Sequence, residues 1–121
     1  MKGFFVMLMA ALGLASCTGE TPFRSVDVAE FKKIIAQPGT QLVDVRTPGE
    51  HAQGHIDGSI NIDVKSSSFE ADAGKLLDKE RTVAIYCRSG RRSKQAGEIL
   101  HGMGFKVIEL DSGYMGWAAA E

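Results

Sequence analysis

Thr82-Val83-Ala84-Ile85-Tyr86-Cys87-Arg88-Ser89-Gly90-Arg91-Arg92-Ser93 joins an apolar run to a loop of glycine, serine and arginine, and a helical pattern follows from about Ser93 to Met103. A strand that passes through such a loop straight into a helix leaves several backbone N–H groups unpaired. They are aimed at one spot, with the positive end of the helix dipole behind them. That spot suits an anion, and Cys87 stands on it. A thiol with an ordinary pKa near ~8.5 is only slightly ionised at pH 7, and each unit of lowering needs about 1.4 kcal/mol of preference for the thiolate. A helix N-terminus contributes roughly 0.3–1 kcal/mol, up to ~2 when partly buried. Arg88, Arg91 and Arg92 can supply the remainder. Two readings stand side by side here. Cys87 is either a nucleophile in a cationic cradle or a buried strand-end cysteine beside solvent-facing arginines.

Moving upstream, Gln41-Leu42-Val43-Asp44-Val45 reads as a short buried strand, and Thr47-Pro48-Gly49-Glu50 as the start of a helical turn with proline where its missing N–H does no harm. Phe23 to Val26 suits a first strand. Asp27 is a good N-cap for a helix whose Val28, Phe31, Ile34 and Ile35 share one face, and Pro38-Gly39 ends it. Gly54 to Ile62 mixes turn glycines with an apolar strand, and Ser66-Ser67-Ser68 is read as the cap of a helix through Leu76 and Leu77. Downstream of the cysteine loop, Ala96, Ile99, Leu100 and Met103 recur at helical spacing, with Gly102 and Gly104 at the end. Lys106 to Leu110 is a last strand, and Gly113 to Ala119 a last helix carrying Trp117 and Tyr114 as packing residues. Alternation of strand and helix predicts an α/β domain with a mainly parallel sheet and helices on both faces. Ligands bind such sheets beyond the carboxyl ends of the strands, where Cys87 lies.

Asp44 and Arg46 fall at another strand's carboxyl end. They either face the same crevice or bond each other, Glu50 and nearby backbone; the second is preferred, because charged groups so placed are usually paired. His55 has the pKa for acid–base work, yet it stands in a turn between glycines and is read as a backbone hydrogen-bond partner.

Cys87-Arg88-Ser89-Gly90-Arg91-Arg92-Ser93 resembles the active-site loop of rhodanese-type sulfurtransferases. Asp44-Val45-Arg46-Thr47-Pro48-Gly49-Glu50-His51 and Gly54-His55-Ile56-Asp57-Gly58-Ser59-Ile60-Asn61-Ile62 resemble that family's other signature. The match runs from roughly Phe23 to Ala119. The resemblance implies a rhodanese-like fold and sulfur transfer through a persulfide on Cys87, from thiosulfate or a similar anionic donor to a thiol or cyanide. It implies a donor site made of Arg88, Ser89, Gly90, Arg91, Arg92 and Ser93, with Asp44, Arg46 and His55 as supporting residues. The three arginines cannot all point inward, and backbone N–H groups from Ser89 to Ser93 are the expected contacts. No cofactor is expected. A cysteine phosphatase or arsenate reductase is the enzymatic alternative, but its loop places an inward Arg where this chain has Ser93 and a His where it has Tyr86. A binding module without turnover is the other alternative.

Composition narrows the rest. The 121 residues carry a net charge of −1 and no basic stripe outside the loop, which argues against a nucleic-acid binder. There is no C-x-x-C, and His51, His55 and His101 are too scattered for a metal site, so none is expected. Met1-Lys2 followed by the apolar stretch Gly3 to Ala15 reads as an export signal, because about 13 residues is too short to cross a bilayer that needs ~20. Leu14-Ala15-Ser16-Cys17 resembles the lipobox of bacterial lipoproteins; ordinary signal cleavage that leaves a free Cys17 is the alternative. The expected organisation is a signal over residues 1–16, a lipidated Cys17 and tether over 17–22, and the domain over 23–121. That places the protein on the periplasmic side, anchored to the membrane through lipid on Cys17. Cys87 then has no partner for a disulfide in its own chain, and a lone thiol in an oxidising compartment is a liability unless it is used.

Overall fold

A computed structural model describes residues 23–121; the expected signal, Cys17 and the tether lie outside the described residues. Among the described residues five strands form one sheet: β1 (Arg24–Val26), β2 (Gln41–Asp44), β3 (Ile60–Asn61), β4 (Val83–Tyr86) and β5 (Val107–Leu110). Their spatial order is β1-β5-β4-β2-β3, and every pairing is parallel. Parallel neighbours need crossovers, which the helices supply: α1 (Val28–Ile35), α2 (Pro48–Gln53), α3 (Phe69–Leu76) and α4 (Arg91–Gly102), with α5 (Gly113–Ala119) closing the chain.

Alternation along each strand sorts the core into two layers. Val43, Val83, Ile85 and Val107 face Phe69, Ala73, Ala96 and Leu100 of α3 and α4. Ala84, Tyr86 and Leu110 face Phe31 and Ile34 of α1, with Tyr114 and Trp117 of α5 packed alongside. The fold is therefore the expected α/β arrangement, with helices on both faces of a parallel sheet. Each fully buried Phe or Leu contributes roughly 1.5–3 kcal/mol by leaving water. The apolar faces read for α1 and α4 are the ones that pack.

Local chemistry sets several boundaries. Asp27 caps α1 by accepting from the Glu30 N–H at 2.9 Å. Thr47 and Glu50 form a reciprocal capping box on α2, with proline in its first turn. Three segments differ from the sequence reading. The stretch from Gly54 to Ile62 contributes only two strand residues, because a turn at Ile56–Ser59 takes up its N-terminal part. The serines before α3 do not cap its backbone: Ser68 Oγ donates to Asp72, and Ser66 Oγ accepts the Ser68 N–H. Helix α4 begins two residues before Ser93, at Arg91, because Gly90 takes the left-handed backbone (φ 105°) that turns the loop into the helix.

Candidate active site

Cys87 follows β4 directly, and the alternation that buries Ile85 against α4 turns the Cys87 side chain the same way. The thiol is 1% exposed. Its sulfur accepts the Gly90 N–H at 3.0 Å and lies 3.4 Å from Ser93 Oγ. The backbone N–H groups of Ser89 and Ser93 also turn toward it. Burial pushes the thiol up, but the Ser93 hydroxyl and the N–H groups of Ser93, Gly90 and Ser89 outweigh it and hold Cys87 below its ordinary value. The cradle thus favours the anion, as a reactive cysteine requires.

The loop is shaped from outside as well. Tyr114 and Met115, in the first turn of α5, donate their N–H groups to the carbonyls of Cys87 (2.7 Å) and Arg88 (3.0 Å). A Cβ on Gly113 would come within 2.4 Å of the Arg88 carbonyl, so this close approach needs glycine. A Cβ on Gly90 would meet the Asp111 carbonyl oxygen at 2.2 Å.

The arginines divide. Arg92 makes a bidentate pair with Glu50 of α2, at 2.7 and 2.8 Å, tying the start of α4 to α2 across the crevice. Arg92 holds the Glu50 carboxyl well below its usual range, at about 2. Arg88 and Arg91 are exposed; Arg88 lines a cleft of about 180 Å³ with Arg46, Glu50, Gln53, Gly54 and Tyr114.

Asp44 and Arg46 bond each other, with Nη2 2.6 Å from Oδ2, and Arg46 also donates to the Gly54 carbonyl. The expected bond to Glu50 is absent from this group, since Glu50 spends its oxygens on Arg92 and Thr47. Instead His51 Nδ1 lies 2.9 Å from Asp44 Oδ2. Burial pushes the Asp44 carboxyl up, but Arg46 and His51 outweigh it and hold it below its ordinary value. The Arg46 guanidinium sits over the rings of Tyr114 and Tyr86, on the sheet face opposite the Cys87 sulfur. His55 is exposed, stacks on His51 at 3.7 Å and approaches the His51 carbonyl with Nδ1 at 2.8 Å. The structure thus gathers Ser89, Gly90 and Ser93 around Cys87, with Arg92 at the edge. It keeps Asp44, Arg46 and His55 away from the sulfur.

Sequence reasoning passed over two features. The Tyr86 hydroxyl accepts the Ile56 N–H at 3.0 Å and meets Ser59 Oγ at 2.9 Å, fixing the turn before β3. Glu109 is fully buried in β5 behind the loop and accepts from Ser93, Ser25 and Lys94. Its signal was available, as a lone carboxylate inside the apolar run Val107-Ile108-Glu109-Leu110. Among the described residues no His/Cys/Asp/Glu group is arranged to hold a metal ion.

Comparison with known proteins agrees with this geometry. The chain is 44% identical over 71 residues to the thiosulfate sulfurtransferase PspE of Escherichia coli, which covers 59% of this chain and 67% of that protein. It is 31% identical over 116 residues to thiosulfate sulfurtransferase 18 of Arabidopsis thaliana, covering 86% of this chain and 85% of that one. The crystal structure of a rhodanese-related protein from Thermoplasma volcanium superposes with a TM-score of 0.71 at 30% identity, over 81% of this chain and 93% of the other. The profile of the rhodanese-like domain matches residues 27–120, which contain four of the five strands, all five helices described above and the cysteine loop, and the chain belongs to the rhodanese-like family.

Proposed function

We infer that the protein is a sulfurtransferase that moves sulfane sulfur from thiosulfate or a similar anionic donor to a thiophilic acceptor, carrying it on Cys87. The observation that supports this most directly is the buried Cys87 sulfur in a ring of backbone N–H groups at the mouth of α4. In the first half-reaction the Cys87 thiolate attacks the outer sulfur of thiosulfate. A new S–S bond forms, the bond to the sulfonate sulfur breaks, and sulfite leaves with the electron pair. In the second, cyanide or a thiolate attacks the outer sulfur of the persulfide and the Cys87 thiolate leaves. The N–H groups that favour the thiolate also favour the persulfide anion and the dianionic donor. The cysteine-phosphatase alternative lacks its arginine: Ser93, where it would stand, is buried and bonded to Gly90 and Glu109.

The full chain bearing Cys17→Ser has Cys87 as its only thiol. Treated with thiosulfate, it should gain one sulfur atom located on Cys87 and removable by cyanide. Initial rates should give parallel lines as donor and acceptor are varied. Turnover retained by Cys87→Ser, or hydrolysis of a phosphate ester with no cyanide-labile sulfur, overturns the reading. The Leu14-Ala15-Ser16-Cys17 sequence supports a further part of the proposal, in which the domain is exported and held to the periplasmic face of a membrane by lipid on Cys17. Two or more acyl chains anchor stably where one binds only marginally.

A further inference from the structure

A carboxylate in the middle of a parallel sheet is expensive. Removing it from water costs several kcal/mol unless every lone pair finds a donor. That cost is offset at Glu109 by three donors drawn from two elements. Ser25 of β1 donates to Oε1, Ser93 of α4 donates to Oε2, and Lys94 Nζ stands 3.3 Å from Oε2 while pairing with Asp111 at 2.8 Å. Lys94, which has no lone pair to accept with, sets a cation against the same carboxylate oxygen that Ser93 bonds.

Ser93 is the joint between this carboxylate and the nucleophile. Its hydroxyl has one proton and three neighbouring acceptors: Glu109 Oε2, the Gly90 carbonyl at 3.1 Å and the Cys87 sulfur at 3.4 Å. A hydrogen bond to an ionised carboxylate is about twice as strong as one to a neutral carbonyl. The proton therefore rests on the Glu109 side, and Ser93 offers Cys87 a lone pair, which suits an S–H donor. Once Cys87 ionises, the sulfur and the carboxylate compete for that proton. They also repel each other as like charges. Both effects run the same way, so Glu109 raises the proton affinity of Cys87 above what the N–H cradle alone would set.

We propose that Glu109 is a positioning residue for Cys87, which by holding the Ser93 proton sets how readily the thiol ionises and how strongly its thiolate attacks. The proposal rests on the reading of Cys87 as the sulfur-carrying nucleophile, and it gives that reading a tuning device. Nucleophilicity falls as thiol pKa falls, so a cradle without opposition would yield an abundant but sluggish thiolate. The charged groups around the Cys87–Ser93 pair are Arg92 from α4, with Glu50 of α2 paired to it, and Glu109 of β5, with Lys94 of α4 set between Glu109 and Asp111, the residue after β5.

The test is the pH dependence of Cys87 alkylation by iodoacetamide, a neutral reagent, in the full chain bearing Cys17→Ser. No sulfur donor is involved, so it reads the thiol whether or not the protein transfers sulfur. Glu109→Gln should move the midpoint to lower pH. The rate at pH 6, relative to the variant's own alkaline plateau, should rise by about tenfold, one unit's worth. The plateau rate itself should fall by about twofold to threefold. Lys94→Met, at a half-exposed position, should move the midpoint the opposite way, and it carries the test if the Gln variant does not fold. In a Ser93→Ala background the Glu109→Gln effect should shrink to the part that like-charge repulsion supplies. Unmoved midpoints in Glu109→Gln and Lys94→Met overturn the proposal. A Glu109→Gln shift that survives intact without the Ser93 hydroxyl overturns the route through Ser93.

Discussion

Glu50→Gln isolates the charge of the Glu50–Arg92 pair, because glutamine at the third position of α2 keeps the capping box with Thr47. A carboxyl held from 4.5 down to about 2 prefers its charged form in the fold by about 3 kcal/mol, at ~1.4 kcal/mol per unit. The Glu50 side chain is 26% exposed, so solvent screening trims this to about 1–2 kcal/mol. Because the folded value is depressed, the stabilisation is fully present above the ordinary 4.5 and is lost as pH falls through that value toward about 2. Urea unfolding of wild type and Glu50→Gln across pH 7 to 2.5 reads it directly. The variant should be less stable by about 1–2 kcal/mol at pH 7, or roughly 5–15 °C in Tm for a domain of this size. The gap should narrow to a small fraction by pH 2.5, as the unfolded chain takes up its proton ahead of the fold. Asp44 titrates in both proteins and cancels in the difference. A gap that stays constant down to pH 2.5, or no gap at pH 7, would refute the assignment of this stability to the ion pair.

Arg91 and Arg92 are expected to strengthen donor binding more than the chemical step. Replacing both by Gln should raise KM for thiosulfate at low salt and flatten its ionic-strength dependence, whereas an unchanged KM would leave the backbone cradle as the sole anion binder. Tyr86→Phe strands the Ile56 N–H in a buried turn and should cost about 1–3 kcal/mol in urea unfolding, with a variant as stable as wild type counting against the bond's role. Cys17→Ser should abolish incorporation of radiolabelled fatty acid; equal labelling of the two proteins would sink the lipid anchor.

What the sequence disclosed, and what it hid, follow from the range of the forces involved. Short-range signals were legible. Asp27 caps α1 through a contact three residues away, and the apolar faces of α1 and α4 follow from helical spacing. The run Thr82 to Tyr86 reads as a buried strand because all four residues of β4 are buried. Cys87 stood out because a loop between strand and helix has unpaired N–H groups by necessity. Long-range pairing was not legible. Glu50 was expected to join Asp44 and Arg46, its neighbours in sequence; it instead reaches a residue 42 positions away, because α2 and the start of α4 both border the crevice at the carboxyl end of the sheet. Glu109 shares its neighbours only through the β1-β5-β4 order, which brings Ser25 and the Cys87 loop to either side of β5. No spacing within one segment encodes that.

The anion selectivity of the loop depends on where its carbonyls go as much as on where its N–H groups point. A peptide unit directs N–H and C=O oppositely, so a loop that turns its N–H groups from residues 89, 90 and 93 inward must send carbonyls elsewhere. The Cys87 and Arg88 carbonyls go to the N–H groups of Tyr114 and Met115, and the Gly90 carbonyl accepts from the backbone N–H and the Nζ of Lys94. Helix α5 thereby takes two acceptors that would otherwise face the sulfur and repel a dianion. Its own first-turn donors are satisfied in the same contact. The approach is close enough that Gly113 has no room for a side chain against Arg88. Seen this way, the last helix, whose seven residues carry no charged side chain, helps make the site an anion site by removing lone pairs from it. The exposed arginines then act on a cradle whose polarity the backbone has already set.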